Sequence, residues 1–403
     1  MTARQVPRWS ELAPLMRPKP IVWDRTDRRL RDALTIADLR QVAKRRTPRS
    51  VFDYTDGAAE AEISLRRARA LFRNLELRPS ILQDVSAIDT TTSMLGAPAA
   101  VPFAFAPTGF TRLMHHEGER AVVRVAQRRG IPYALSTMGT TSIEDVAAAG
   151  PQARTWFQLY VWRDRSAGED LMARAKAAGF EALVLTVDVP VAGARLRDAR
   201  NGFSIPPALT VKTVLDAATH PAWWVNLLTT ETLTFASLTE WSGTVADLLD
   251  RLFDPTMTIA DLEWIRASWD GPLIIKGIQT VADARRVVQA GADAIVLSNH
   301  GGRQLDRAPV PLRLVPDVKD AIGDNAEVWV DTGIMSGADI VAALALGADA
   351  TMIGRAYLYG LMAGGERGVE RAADILTREI QRTMALLGTT SIAALGPQHV
   401  HLP

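Results

Sequence analysis

The sequence predicts an α/β protein built as a closed (β/α)8 TIM barrel, preceded by a helical segment and interrupted by one long lid insertion after strand 4. Three observations carry that expectation. From residue 100 onward, short apolar runs recur at 101–106, 131–136, 155–160, 182–187, 272–276, 294–298, 327–331 and 350–354. Most are followed by an alanine-rich stretch with helical spacing, for example 117–129, 168–179, 281–290 and 336–347. Each run ends on polar residues or glycines, as expected of a barrel that gathers its working residues at one mouth. A doubly wound open sheet is the alternative; the lack of a Gly-x-Gly-x-x-Gly after the first run counts against it.

Taken in order, residues 1–34 are rich in Arg and Pro and read as an extended N-terminal arm, suited to packing on a neighbouring subunit. Thr35 then caps a helix that carries Asp38 in its first turn. A second helix holds Val51-Phe52-Asp53-Tyr54 and stops near Asp56-Gly57. The barrel region runs over 35–390, and 391–403 form a C-terminal tail. The insertion spans 190–271 and carries Pro206-Pro207, Trp223-Trp224, Trp241 and an apolar-charged run over 247–253. Loops this long in a compact domain serve as lids or interaction segments. Trp223-Trp224 with Leu227-Leu228 are candidates for contact with a membrane interface, and packing on the barrel is the equal alternative.

Composition removes several functions. The chain has 46 basic and 45 acidic residues, a net charge of +1, so no global basic field points to nucleic acid. The absence of cysteine excludes disulfides, thiolate metal sites and barrels that use a cysteine nucleophile, and no metal site is assigned. No apolar run reaches the length of a membrane span, and the N-terminus has no signal-peptide core. The expected location is cytoplasmic, with peripheral attachment to the inner face of the cell membrane as the variant.

The strand ends hold the chemistry. They are Pro107, Thr108 and Gly109; Ser136; Gln158 and Tyr160; Thr186 and Asp188; Lys276; His300 and Arg303; Asp331 and Gly333; Gly354 and Arg355. A lone His-x-x-Arg reads first as a satisfied loop histidine beside a surface charge, but seven other polar strand ends overturn that reading. His300 exchanges a proton near neutral pH, and Arg303 presents a fork of donors matched to a carboxylate. Gly301 and Gly302 leave room for a flat ligand. Gly333, Gly354 and Arg355 follow strands seven and eight, where barrels commonly bind phosphate. Lys276, a lysine within a buried strand, needs a partner or a ligand to justify it.

The stretch Ser298-Asn299-His300-Gly301-Gly302-Arg303-Gln304-Leu305-Asp306 resembles the signature of the FMN-dependent L-2-hydroxy-acid oxidase and dehydrogenase family. The resemblance covers residues 35 to 390 and is greatest to the bacterial respiratory L-lactate dehydrogenase branch. It implies FMN as cofactor, with Ser136, Gln158 and Thr186 reading the edge of the flavin ring. Lys276 would stabilise the charge the ring gains on reduction. Arg303 and Arg195 would clamp the substrate carboxylate, with Tyr54 adding a hydroxyl and Tyr160 bonding the substrate oxygen. His300 would be the base, for either the α-carbon or the hydroxyl proton, with Asp188 orienting it. The resemblance implies a homotetramer that oxidises L-lactate to pyruvate and passes electrons to quinone or another carrier. Oxygen-using oxidation to hydrogen peroxide, including of larger acids such as mandelate, is the alternative.

The chain departs from the family pattern at four places. Met335 replaces the arginine of an Asp-x-Gly-x-Arg phosphate motif, and Met138 and Ala192 replace a tryptophan and a leucine of glycolate oxidase. Gly109 stands where many oxidases have alanine, which leans away from oxygen as acceptor. Two other classes compete. A flavin-binding protein without turnover would leave the His300 set without purpose. In a flavin-free phosphosugar barrel with Lys276 as a Schiff-base lysine, Ser136, Gln158 and Thr186 would be idle.

Overall fold

The computed structural model describes residues 6–16, 22–162, 165–202, 216, 218–233, 236 and 254–403. Pro206-Pro207, Trp241 and 247–253 lie outside the described residues. Eight strands form the barrel: β1 (Phe103–Phe105), β2 (Tyr133–Ser136), β3 (Thr155–Leu159), β4 (Ala182–Thr186), β5 (Leu273–Ile278), β6 (Ala294–Leu297), β7 (Glu327–Val330) and β8 (Ala350–Ile353). All neighbours are parallel, and β8 closes on β1 with Thr351 opposite Phe103 and Ile353 opposite Phe105. The helices that follow in turn are α1 (Gly118–Arg129), α2 (Ile143–Ala149), α3 (Arg165–Ala177), α4 (Asp261–Ser268), α5 (Val281–Gln289), α6 (Pro311–Ile322), α7 (Gly337–Ala345) and α8 (Arg355–Leu387). The expected barrel is therefore present, strand for strand.

Strand residues alternate between the barrel interior and the helix layer. Ala104, Ala134, Trp156, Val184, Ile274, Val296, Trp329 and Met352 point inward and form one buried cluster. Small alanines on five strands leave space for two indoles, and Trp156 and Trp329 stack across the barrel with ring centroids 5.1 Å apart. Phe103, Phe105, Phe157, Leu183 and Leu185 point outward into the core beneath the helices. A hairpin of Thr92–Met94 and Ala97–Ala99 covers the N-terminal end, with Met94 in the interior cluster. The bottom is plugged, so a ligand can enter only at the C-terminal mouth.

Two boundaries differ from expectation. The N-terminal arm is not wholly extended, because Arg25–Asp32 is a helix packed on its own chain. Asp24 caps it by accepting from Thr26 N and Asp27 N at 2.7 and 3.0 Å. Leu30 is its one buried residue, too little apolar signal to show in an arginine-rich sequence. The insertion also stops sooner than residue 271. Asp261–Ser268 is the barrel helix after β4, with Leu262 and Ile265 in the core. Thr35 and Asp38 form the expected capping box on Ile36–Arg46, and Arg49–Asp56 is the expected second helix.

Candidate active site

The inward positions above the apolar layer carry the polar groups. Continuing the two-residue period leads from Ala134 to Ser136, Trp156 to Gln158, Val184 to Thr186, Ile274 to Lys276, Val296 to Ser298 and Trp329 to Asp331. All of them but Ser298 line a cavity of about 570 Å³. Every site residue assigned from the sequence lines it except Asp188, which stands behind His300.

The floor is held by a closed set of bonds. Ser136 Oγ and Thr137 N donate to Gln158 Oε1 at 3.0 and 3.2 Å, which fixes the amide and leaves Gln158 Nε2 buried without a partner among the described residues. Lys276 Nζ lies 2.9 Å from Asp331 Oδ2 and donates to Ser298 Oγ at 3.0 Å. Burial works against charge on Lys276, but Asp331 and Asp188 outweigh it and raise its pKa above the ordinary lysine value. Thr332 Oγ1 donates to Asp331 Oδ1 at 2.7 Å and accepts from Gly301 N at 3.1 Å, tying β7 to the loop after β6.

That loop is a short 3-10 turn, His300–Gly302, in which Asn299 Oδ1 accepts from Gly302 N at 2.9 Å. His300 itself is in the left-handed region at φ 58°, an uncommon conformation outside glycine and one that aims its ring across the mouth. His300 Nδ1 lies 3.1 Å from Asp188 Oδ1, whose side chain is completely inaccessible. Burial raises the Asp188 pKa, but His300 and then Lys276 outweigh it and hold the carboxyl below the usual range. Gln304 fixes the pair from behind by donating Nε2 to Asp188 O and Val191 O at 3.2 and 2.9 Å and accepting from Gly193 N at 3.1 Å.

The opposite wall comes from the N-terminal helices. Arg303 Nη1 donates to Tyr54 O and to Gly57 O, and its guanidinium sits 4.9 Å from the centre of the Tyr54 ring. Arg195 approaches the same ring at 5.8 Å, with Nε buried and unpartnered among the described residues. Burial and then the Arg195 charge push Arg303 down to about 10, so this corner holds excess positive charge that an anion relieves. Burial, then the Asp188 charge, push the Tyr160 hydroxyl up, so it stays a neutral donor. The turn after Asp56 locks these parts together, with Ala59 N on Gly302 O at 2.9 Å and Glu60 N on Ala194 O at 2.7 Å.

At the far end, Arg355 spends three of its five donors on the backbone carbonyls of Thr55, Gly301 and Gly57 at 2.9, 2.9 and 2.8 Å. Arg355 thus joins the N-terminal helix to the β6 loop while also lining the cavity. Met335 lines the cavity without charge. Arg69, from the helix Ile63–Asn74, donates to Gly333 O and to Asp339 Oδ2, the carboxylate that also accepts from Met335 N at 2.8 Å. Arg69, Gln304, Thr332 and Asp198, a carboxyl in the arginine corner, were not singled out in the sequence. Gln304 lay inside the quoted nine-residue stretch and Thr332 inside the motif that ends at Met335, and Arg69 and Asp198 carried no local signal.

The donor set fits FMN. The Gln158 amide N–H, unpartnered among the described residues, the protonated Lys276 and the Ser136 and Thr186 hydroxyls surround the floor. Glycines close the approach elsewhere. A Cβ at Gly301 would stand 2.7 Å from Arg355 Nη1, and one at Gly109 would stand 2.8 Å from Met138 Cβ. Residues 43–402 match the model of the FMN-dependent dehydrogenase family. A Mycobacterium tuberculosis protein provisionally named L-lactate dehydrogenase is 60% identical over 397 residues, covering 98% of this chain and 96% of that protein. The L-lactate dehydrogenase of Chromohalobacter salexigens is 42% identical, covering 89% of this chain and 93% of that one. The solved structure of the monotopic membrane protein (S)-mandelate dehydrogenase superposes with a TM-score of 0.88 at 37% identity, covering 92% of this chain and all of that one. Barrel, mouth and matches agree: this chain belongs to the FMN-dependent dehydrogenase family, with FMN as its cofactor.

Proposed function

We propose that this enzyme oxidises L-lactate to pyruvate and hands the electrons to a quinone. The observation that carries the reading is the opposition across one cavity of the Arg303–Arg195–Tyr54 corner and the His300–Asp188 pair. A 2-hydroxy acid needs both, because its carboxylate and its reacting carbon are adjacent. Arg303 and Arg195 grip the carboxylate, and the Tyr54 hydroxyl adds a donor. Tyr160 donates to the substrate oxygen. His300 takes a proton as the carbon is oxidised, and Asp188 holds the imidazole in orientation and balances the charge it acquires. Ser136, Gln158, Thr186 and Lys276 hold the ring of FMN, with Pro107, Thr108, Gly109 and Asp331 around it, and Gly333, Gly354 and Arg355 serve its phosphate. FMN supplies the two-electron acceptor for the α-carbon.

Larger L-2-hydroxy acids are the second reading. Met138 and Ala192 line the cavity as a soft or small wall, and a mandelate dehydrogenase is among the similar structures. Among the described residues, no helix is long and apolar enough to cross a membrane. A peripheral contact is supported by Pro221–Thr229, which presents Val225 at 57% and Leu228 at 73% exposure. Trp223 of that helix turns inward, donating to Leu113 O at 2.9 Å, so only the outer face is offered to lipid. Vesicle flotation of the native protein and a Val225→Asp variant checks it, and sedimentation checks the tetramer.

The activity is tested by anaerobic mixing with a panel of L-2-hydroxy acids, followed by re-oxidation with air or a quinone analogue. L-Lactate should bleach the flavin, and the quinone should restore it faster than air. No bleaching by any member of the panel refutes the reading, and faster restoration by air converts it to an oxidase.

A further inference from the structure

A second cavity of about 400 Å³ is lined by Asp188, whereas His300 lines the first. It shares two wall residues, Tyr160 and Thr186, with the first cavity. Tyr160 and Thr186 therefore face both cavities. Its walls include buried aliphatic residues, among them Val161, Val189, Leu262 and Ile278. Gln279, Arg286 and the carboxylates of Asp188, Asp254 and Asp283 also line it, Arg286 Nη1 donating to Asp283 Oδ1 at 3.0 Å, and its rim reaches the surface at Pro190 and Ile259. A slot of this size with aliphatic walls and polar groups between them suits a flat, uncharged ring with carbonyls at its edge. Asp188 adds a second observation. Its Oδ1 lies 3.1 Å from His300, while its Oδ2 is buried with no hydrogen-bond partner among the described residues. A buried carboxylate oxygen left unpaired is costly unless something pairs with it during the cycle.

We infer that this second cavity binds the quinone that re-oxidises the enzyme, separately from the hydroxy acid. The inference rests on the proposed dehydrogenase activity and adds the acceptor's place. Oxidation of the hydroxy acid releases two electrons and two protons. His300 would hold one of these protons, and FMN, when bound, would supply the two-electron acceptor. The quinone takes up both electrons and both protons and leaves as the hydroquinone, and Asp188 lies in the wall between His300 and the quinone. Because the two ligands occupy different cavities, a carboxylate inhibitor and the quinone bind together.

The test uses the holoenzyme, a tail-less ubiquinone and oxalate. Calorimetry should find that ubiquinone binds equally with and without saturating oxalate. Ile259→Trp, at the rim, and Met257→Phe, in the wall, narrow the slot without touching the catalytic groups. Both should slow re-oxidation by ubiquinone by about tenfold or more while the rate of bleaching by L-lactate stays native. Displacement of ubiquinone by oxalate, or native re-oxidation rates in both variants, overturns the inference. If no L-2-hydroxy acid bleaches the native protein, the activity reading fails instead, and competition with oxalate still decides where ubiquinone binds.

Discussion

Replacing Asp188 by Asn isolates what the buried carboxylate contributes to the proton transfer. The change is close to isosteric, which matters because the Asp188 side chain has no exposed surface and abuts Gly277, where an added Cβ would lie 2.8 Å from Asp188 Cγ. Gln304 holds the backbone of residue 188 through its carbonyl, not its side chain, so the loop keeps its place. The loss is then confined to the interaction with His300 at 3.1 Å. A hydrogen bond to a charged group contributes about 1.5–3 kcal/mol, and the asparagine still offers a neutral acceptor in its place. If the whole charged contribution is expressed only once His300 holds the proton, flavin reduction should slow by roughly 10- to 150-fold. Anaerobic stopped-flow at saturating L-lactate reads that rate directly, and oxalate binding to the same variant should stay near native. A native rate, or a loss as large as that of removing His300, would refute the pairing argued here.

Further predictions follow from the arginine corner and the phosphate end. Arg303→Met should raise KM and lower kcat for L-lactate together, because the clamp also positions the reacting carbon, and Arg303→Lys should restore only part of the activity; steady-state kinetics checks both. Arg303 is charged below its depressed pKa and neutral above it. The oxalate dissociation constant, read from the flavin spectrum, should be flat at neutral pH and rise as pH passes about 10. Met335→Arg should slow FMN loss on dilution by about tenfold or more, the worth of a charged contact of about 1.5–3 kcal/mol; unchanged retention, followed by flavin fluorescence, would show that Arg69 and Arg355 already suffice.

Much of this site was legible before the structure because the barrel converts sequence order into position. Ser136, Gln158, Thr186, Lys276 and Asp331 each lie two residues beyond an inward apolar residue, so the strand period alone aims them at the mouth. The left-handed φ of His300 and the bond between Asp188 and Gln304 were not legible, since they depend on how two loops meet. Arg355 illustrates the same limit. Its position at the start of α8 was readable, but its bonds to Thr55, Gly57 and Gly301 join parts of the chain that only the fold brings together. The helix Arg25–Asp32 was missed because one buried leucine among four arginines leaves no periodic signal.

The most direct test of the central claim is anaerobic mixing of L-lactate with the native protein and with His300→Gln. The native protein should lose its flavin absorbance. His300→Gln should stay yellow and still bind oxalate, yet lose about two to four orders of magnitude in the rate of bleaching, the usual worth of a positioned base. Rapid bleaching of His300→Gln by L-lactate would contradict the assignment of the base, and with it the chemistry proposed for the whole site.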